Sequence, residues 1–290
     1  MSDTSENLRN KIERAADLEA VVSTMKALAA SNIGQYERAV TALADYYRTV
    51  ELALIACFDQ AKGRPFQDHK IQHEDRLGAV VFGSDQGLVG QFNDVLAEFV
   101  FDTLQHFHGK KSVWAVGERM HALLLDMGLP VTGVFEVPNS VSAITPLIGE
   151  ILTRSETPLL YIFHNSPTSG ALYKPNRQRL LPLDRKWRLE LLKLSWPTYQ
   201  LPEVLGNLEV TLKALIREYL FVSLFKACAE SLASENASRL AAMQRAEKNI
   251  NEMLDELTQT YNRLRQNTID SELFDVVSGF EAFRKNADQT

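Results

Sequence analysis

Nowhere does the chain approach the ~18 consecutive apolar residues that a membrane-spanning helix needs, so no direct membrane insertion is expected. Cysteine is scarce. Cys57 and Cys228 are the only two, they lie in stretches of helical period, and they form no close-spaced motif. A reduced, cytosolic compartment is therefore the simpler expectation. An excess of positive charge is also lacking: the net charge is −6 with a pI near 5.6, which argues against nucleic acid as the main partner. The opening Met1-Ser2-Asp3-Thr4-Ser5-Glu6 has neither the basic flank nor the apolar core of a signal peptide. It predicts a helix start, with Asp3 or Thr4 as the cap and Glu6 in the first turn.

Catalytic signatures are equally thin. The loop from Gly83 through Ser84-Asp85-Gln86-Gly87-Leu88-Val89 to Gly90 follows a predicted strand and precedes a predicted helix, the usual place for a bound phosphate. Its glycine spacing matches neither the dinucleotide fingerprint nor a P-loop, and no Lys-Ser/Thr pair follows. A tight turn with close backbone packing accounts for the glycines. His69 and His73 stand four apart beside Glu74 and Asp75, but in a polar linker where such residues are solvated, so no metal is assigned. Ser84 and Ser166 have no recognisable base and no nucleophile elbow. No catalytic residue, cofactor or metal is therefore assigned.

What the chain does have is coiled-coil spacing at both ends. Ala15, Val22, Ala29, Tyr36, Leu43, Val50 and Cys57 fall in one column of sevens, with Leu18, Met25, Asn32, Ala39, Tyr46 and Ala53 in the interleaved one. A second stretch gives Leu208, Leu215, Val222, Ala229, Asn236, Met243, Ile250, Leu257 and Leu264, interleaved with Leu212, Tyr219, Ala233, Leu240, Leu254 and Tyr261. Its polar breaks are chiefly Asn236, Lys226 and Glu247. A strict repeat of seven keeps one apolar seam against a single partner helix, whereas a helix on a globular core tolerates a drifting stripe. At 1.5 Å per residue the second helix would run roughly 120 Å, too long for a compact core to cover.

Between these ends, short apolar runs alternate with helical patterns. Leu77 to Gly83, Ser112 to Val116, Val131 to Val137 and Leu159 to His164 read as strands. Asn93 to Phe107, Arg119 to Met127 (closed by Gly128) and Ser142 to Thr153 read as helices. The alternation predicts a parallel sheet with helices on its faces. After a turn over 165–170, Leu172 to Leu183 reads as an antiparallel edge strand. Pro197 and Pro202 break the chain, with Pro202 expected in the first turn of the long second helix. The fold class is thus a central α/β, Rossmann-like domain plus a long antiparallel coiled coil formed by the N- and C-terminal helices. The expected boundaries are 1–60 for the first helix, 76–200 for the α/β domain and 203–290 for the second helix.

If the first helix runs to the α/β domain and the second returns, paired residue numbers sum to roughly 267, and Asn32 meets Asn236. A lone polar pair in an apolar seam sets register, so these two are expected to fix the alignment, the alternative being that each points to solvent. The same arithmetic leaves everything past about residue 260 without an intramolecular partner. That overhang keeps an apolar face of Ile269, Leu273, Val276, Val277, Phe280 and Phe283, which calls for a second protein around it, or else for folding back on the α/β domain.

Three ordered motifs carry a resemblance. The run Thr24-Met25-Lys26-Ala27-Leu28-Ala29-Ala30-Ser31 resembles the T/A-M-x-x-V-A-A-S/A-K run in the first helix of the γ subunit of F-type ATP synthases. Residues Ser84 to Asn93 resemble that family's S-D-R-G-L-C-G-G-L-N loop. The third stretch, Ser231 to Met243, continues through Asp255-Glu256-Leu257-Thr258, Tyr261-Asn262, Arg265-Gln266, Ile269, Glu272-Leu273 and Val277-Ser278-Gly279, and tracks the family pattern in order.

The resemblance implies a rotor that is not itself an enzyme. In that family the hairpin stands inside a ring of alternating α and β subunits, with the α/β domain at its foot beside the ε subunit and above the membrane c-ring. Ion flow turns the shaft, and its angle sets nucleotide affinity at the β sites. Carried over by position, Met25 and Lys26 approach the β subunits, Arg265 and Gln266 hydrogen-bond to a loop of the ring, and Asp270 and Glu272 add polar contacts. Arg265 in particular offers a planar fork that can bridge carboxylate or carbonyl acceptors. The implied location is peripheral, on the cytoplasmic side of the bacterial inner membrane. The chain departs from the family at Ala20-Val21-Val22-Ser23 and Asn32-Ile33-Gly34-Gln35, where basic residues are usual, and at Gln86, Val89 and Gln91 in the loop. These departures point to a divergent branch such as the N-type ATPases. No paired-cysteine insertion of the chloroplast kind is present, so thiol regulation is not expected. The rival reading is a coiled-coil adaptor whose α/β domain binds a small ligand at Gly83 to Gly90.

Overall fold

The computed structural model describes residues 5–60, 76–155, 157–168, 173–194, 196, 197, 199, 200 and 202–287, with side chains excepted at 185, 186 and 279–287. Asp3, Thr4, His69, His73, Glu74 and Asp75 lie outside these residues, as do the side chains of Phe280 and Phe283. The elements run α1 (Ser5–Gln60), β1 (Arg76–Phe82), α2 (Phe92–Gln105), β2 (Lys110–Val116), α3 (Glu118–Asp126), β3 (Val131–Phe135), α4 (Val141–Arg154), β4 (Leu159–Pro167), β5 (Tyr173–Leu181), α5 (Arg185–Leu191) and α6 (Leu208–Ala287). Contacts divide the chain into two compact units, one of Leu28–Ala242 and one of Met1–Ala27 with Met243–Thr290.

In the larger unit the five strands are ordered β3-β2-β1-β4-β5, parallel except for β5, which pairs antiparallel with β4 at the edge. Side chains alternate across each strand, so one strand feeds two cores. Leu77, Ala79 and Val81 of β1 join Val113, Ala115 and Phe163 beneath α2 and α3. Val80 and Phe82 join Trp114, Val116 and Ile162 on the opposite face, packed by α4, the end of α1 and the first third of α6. Both faces are covered, which is why the central strands read as unbroken apolar runs rather than as alternating ones.

In the same unit α1 presents Ala29, Tyr36, Val50 and Cys57 buried and Leu43 half-buried, the expected column of sevens. The interleaved column departs from expectation at Tyr46, which is 46% exposed. Its place is taken by Tyr47, whose ring lies 5.7 Å from that of Tyr219, and by the fully buried Leu54. A straight α-helix drifts about 20° per heptad, so the buried stripe moves round by one residue where α1 meets the broad face of the sheet layer.

Two further differences concern the approach to α6. Pro202 is not in its first turn: the helix opens at Leu208, and Asn207 caps it by accepting the Glu209 and Val210 N–H groups at 3.0 and 3.3 Å. The short helix α5, which carried no periodic signal, is capped by Asp184, whose carboxylate accepts the Trp187 N–H at 2.9 Å. It sets Trp187 edge-on against Phe58 and Tyr219, with its indole N–H donating to the Tyr219 hydroxyl at 3.1 Å.

The smaller unit pairs the start of α1 with the later part of α6. On α1, Leu8 and Ala15 are buried and Ile12, Glu19, Val22, Met25 and Lys26 half-buried. Leu18, assigned by spacing to the seam, is 57% exposed, and the stripe instead follows Ile12, Glu19 and Lys26. On α6, Met243 is buried, and Ala246, Glu247, Ile250, Leu254, Leu257, Tyr261 and Leu264 are half-buried. Every residue from Arg265 to Ser278 is exposed.

Candidate functional site

In an open α/β sheet, ligands bind outside the carboxyl ends of the strands, where the strand order reverses direction. Here that point lies between β1 and β4, at Phe82-Gly83-Ser84 and His164-Asn165-Ser166. The loop after β1 is consumed by the fold itself. Asn93 accepts the Ser84 N–H at 3.0 Å and donates to the Ser84 hydroxyl at 2.7 Å. Asp85 accepts the Glu118 N–H at 3.1 Å and the Val137 N–H at 3.2 Å, joining the loops that follow β2 and β3. Gly117, at φ +106°, lets the β2 loop pass so close that a Cβ would lie 2.5 Å from the Ser84 backbone. Of the loop's own glycines, Gly83 serves close packing, since a Cβ there would lie 2.3 Å from that of Met120, Gly90 takes a positive φ of 58°, and Gly87 has open space around it.

The crevice itself is filled by α6. The Ser231 hydroxyl donates to Phe82 O at 2.9 Å, Ser234 to Asn165 O at 3.1 Å and Ser238 to Val89 O at 2.5 Å. Spacings of three and four place these hydroxyls on one helix face, and the neighbouring buried Ala227, Ala229 and Ala233 let the backbone approach closely. Glu230 takes a 2.8 Å hydrogen bond from His164 Nε2 and a 3.1 Å one from the Ser166 hydroxyl. A nucleotide could enter only by displacing this helix.

Two acidic groups on that face have opposed electrostatics. Burial works against the Glu230 carboxylate, yet the His164 hydrogen bond and charge, with help from Lys226 and Ser166, hold its pKa below the ordinary value. Glu235, 4% exposed, is pushed up by burial, opposed by Arg239, whose guanidinium donates to it at 2.5 Å. Beside them Asn32 Nδ2 donates to Asn236 Oδ1 at 3.4 Å, and Asn236 Nδ2 donates to Leu232 O at 2.8 Å. Those two asparagines are brought together across α1 and α6.

A family model described as ATP synthase matches residues 4–283. The chain belongs to that ATP synthase family. It is 28% identical to the ATP synthase gamma chain of Glaesserella parasuis serovar 5 (strain SH0165), over 96% of this chain and 99% of the relative. It is 24% identical to that of Brevibacillus brevis (strain 47), over 95% and 97%. Among solved structures, a chain of the Euglena gracilis mitochondrial ATP synthase, OSCP/F1/c-ring in rotational state 3, shares the fold at a TM-score of 0.57 and 18% identity, over 96% of this chain and 94% of that one. A chain of the Tetrahymena thermophila mitochondrial central stalk and c-ring matches at 0.51 and 20%, over 78% and 99%.

For this member of the ATP synthase family, the residues singled out by motif fall into two environments. Arg265, Gln266, Asp270 and Glu272 are exposed on α6. They are interspersed with bare apolar side chains: Ile269, Leu273, Phe274, Val276 and Val277 are 44 to 73% exposed. Met25 is half-buried, and Lys26 is drawn inward, with Nζ 2.6 Å from both carboxylate oxygens of Glu247. Sequence reasoning missed the exposed apolar side chains of α1, Leu18, Val21 and Leu28. Spacing had absorbed Leu18 into the seam, and the other two sit outside both heptad columns; outward-pointing leucines on a predicted coiled coil were the available signal. Among the described residues no helix is long and apolar enough to cross a membrane, and no His, Cys, Asp and Glu cluster suits a metal ion.

Proposed function

We propose that this chain is the central rotor shaft of a rotary F-type ATP synthase, a non-catalytic gamma-type subunit that couples ion flow across a membrane to ATP synthesis or hydrolysis on the β subunits of a surrounding ring. The observation that carries the reading is the run from Arg265 to Ser278: fourteen consecutive helical residues, all exposed, with five large apolar side chains among them. Exposed apolar side chains at that density mark a surface that another polypeptide covers. The gamma chains of its relatives and the stalk folds it matches support the same assignment.

Its partners are then the α and β subunits of the ring, the ε subunit and the membrane c-ring, with no nucleic acid. Its place is peripheral, on the cytoplasmic side of a bacterial inner membrane. The ring is met by Arg265, Gln266, Asp270 and Glu272, and on α1 by Met25 and the methylene stem of Lys26, with Leu18, Val21 and Leu28 as apolar neighbours. Asn32 and Asn236 hold the alignment of the hairpin. The working divisions are 1–60, 76–200 and 203–290. The rival adaptor reading loses its ligand site, because Ser231, Ser234 and Ser238 occupy the crevice it needs.

Isolation of the native chain under mild conditions tests the assignment. Co-purification with two kinds of larger subunit, in a complex that hydrolyses ATP, is expected. Recovery as a free homodimer without ATPase activity would overturn it.

A further inference from the structure

In the smaller unit, every seam residue of α6 from Met243 to Leu264 is apolar except Glu247, whose side chain is only 25% exposed. Its carboxylate faces Lys26, 32% exposed, with both oxygens 2.6 Å from Nζ. On α1, Lys26 belongs to a column of sevens that reads Ile12, Glu19, Lys26, Ile33. Sliding α1 by one heptad in either direction therefore puts Glu19 or Ile33 where Lys26 stands. One slide sets two carboxylates together, and the other leaves Glu247 half-buried without a cation. Apolar packing in this unit discriminates poorly between alignments one heptad apart, since of its α1 seam residues only Leu8 is both large and buried, Ile12 and Met25 being half-buried and Ala15 and Val22 small.

We infer that Lys26 and Glu247 form the register lock of the terminal coiled coil, with Glu19 as the repulsive element that rejects the neighbouring alignment. A polar residue at a seam position commonly lowers stability while selecting one register, and discrimination is sharpest when the wrong alignment is actively penalised. Lys26 is accordingly a positioning residue. The lock is distinct in chemistry from the Asn32 and Asn236 pair in the larger unit, because charge discriminates by sign as well as by polarity. Its consequence for rotation, that the tip presents a fixed face to the ring, rests on the proposed shaft function.

The test reads alignment directly. Spin labels at the exposed Asp17 and Asn249 report the distance between the two helices, in the full chain alone and within the purified complex, where a one-heptad slide moves a label by about 10 Å along the axis. One narrow distribution is expected for the parent, and a broadened or displaced one for Lys26→Glu. The exchange Lys26→Glu with Glu247→Lys is expected to recover the parental distance only in part, since Glu19 now finds a cation in the slid alignment. Adding Glu19→Lys to the exchange is expected to restore a single distance. Glu247→Leu is expected to melt at or above the parental temperature while its distances broaden, separating alignment from stability. A parental distribution in both Lys26→Glu and Glu247→Leu, or full recovery by the exchange without Glu19→Lys, would overturn the lock. These distances are measured within one chain, so they stand or fall independently of which proteins co-purify with it.

Discussion

Single residues here act through the company they keep. Glu230 is ordinary in sequence, but its folded pKa is lowered by the partners around its carboxylate, against the burial that opposes them. A depressed carboxyl pKa stabilises the fold above the ordinary value near 4.5, and that contribution is lost as pH falls below it toward the folded pKa. Melting temperature should therefore drop between about pH 5 and pH 3 more steeply in the parent than in Glu230→Gln, which has no such proton to take up; equal slopes would remove Glu230 from the acid response. Arg265 belongs to the same scale with a different audience. It is exposed on α6, and Arg265→Ala is expected to leave assembly intact and lower ATP synthesis in inverted membrane vesicles, with unchanged synthesis rates counting against its ring contact.

At the level of elements, two glycines separate local propensity from packing. Gly34 lies within α1 with open space where a methyl group would stand, nothing else being within 4 Å, so Gly34→Ala should gain roughly 0.5–1 kcal/mol through helix propensity alone. Gly117 combines a positive φ with backbone 2.5 Å from where a Cβ would sit, and Gly117→Ala should cost on the order of 1–3 kcal/mol. Thermal melts of the two variants should move in opposite directions. Most elements were legible because each presents one strong period: seven along α1 and α6, continuous apolar runs in β1 and β4. The misreadings share a cause, which is that one-dimensional spacing does not say which way a helix has turned. Tyr46 and Leu18 satisfy the heptad on paper, and the stripe had rotated past both. Pro202 suits a first turn, but Asn207 with its hydrogen-bonding carbonyl was the better cap. The ring-facing residues were legible only through motif resemblance, because exposed Arg, Gln, Asp and Glu on a helix look like any solvated face.

For the whole molecule, the exposed end of α6 separates folding from work. Ending the chain after Leu264 removes no residue that is even half-buried among those described through Ser278. The truncated chain should melt within about 1 °C of the parent, because surface positions away from packed features contribute within about ±0.5 kcal/mol. The complex built with it should pump fewer ions per ATP hydrolysed. A large fall in melting temperature would mean the segment packs on its own chain.

The serine face of α6 carries a last implication. A sheet of this topology ordinarily keeps its mouth vacant for a visiting molecule, and here the polypeptide has become its own tenant. Within the larger unit the sheet and this stretch of α6 are therefore one packed body: Ser231, Ser234 and Ser238 bond the strand ends and the loop after β1, while Asn236 faces Asn32 of α1. An isolated α/β fragment ending before Leu208 would be left with open carbonyls at Phe82 and Asn165 and an unmated His164, a poorly folded remnant rather than a smaller protein.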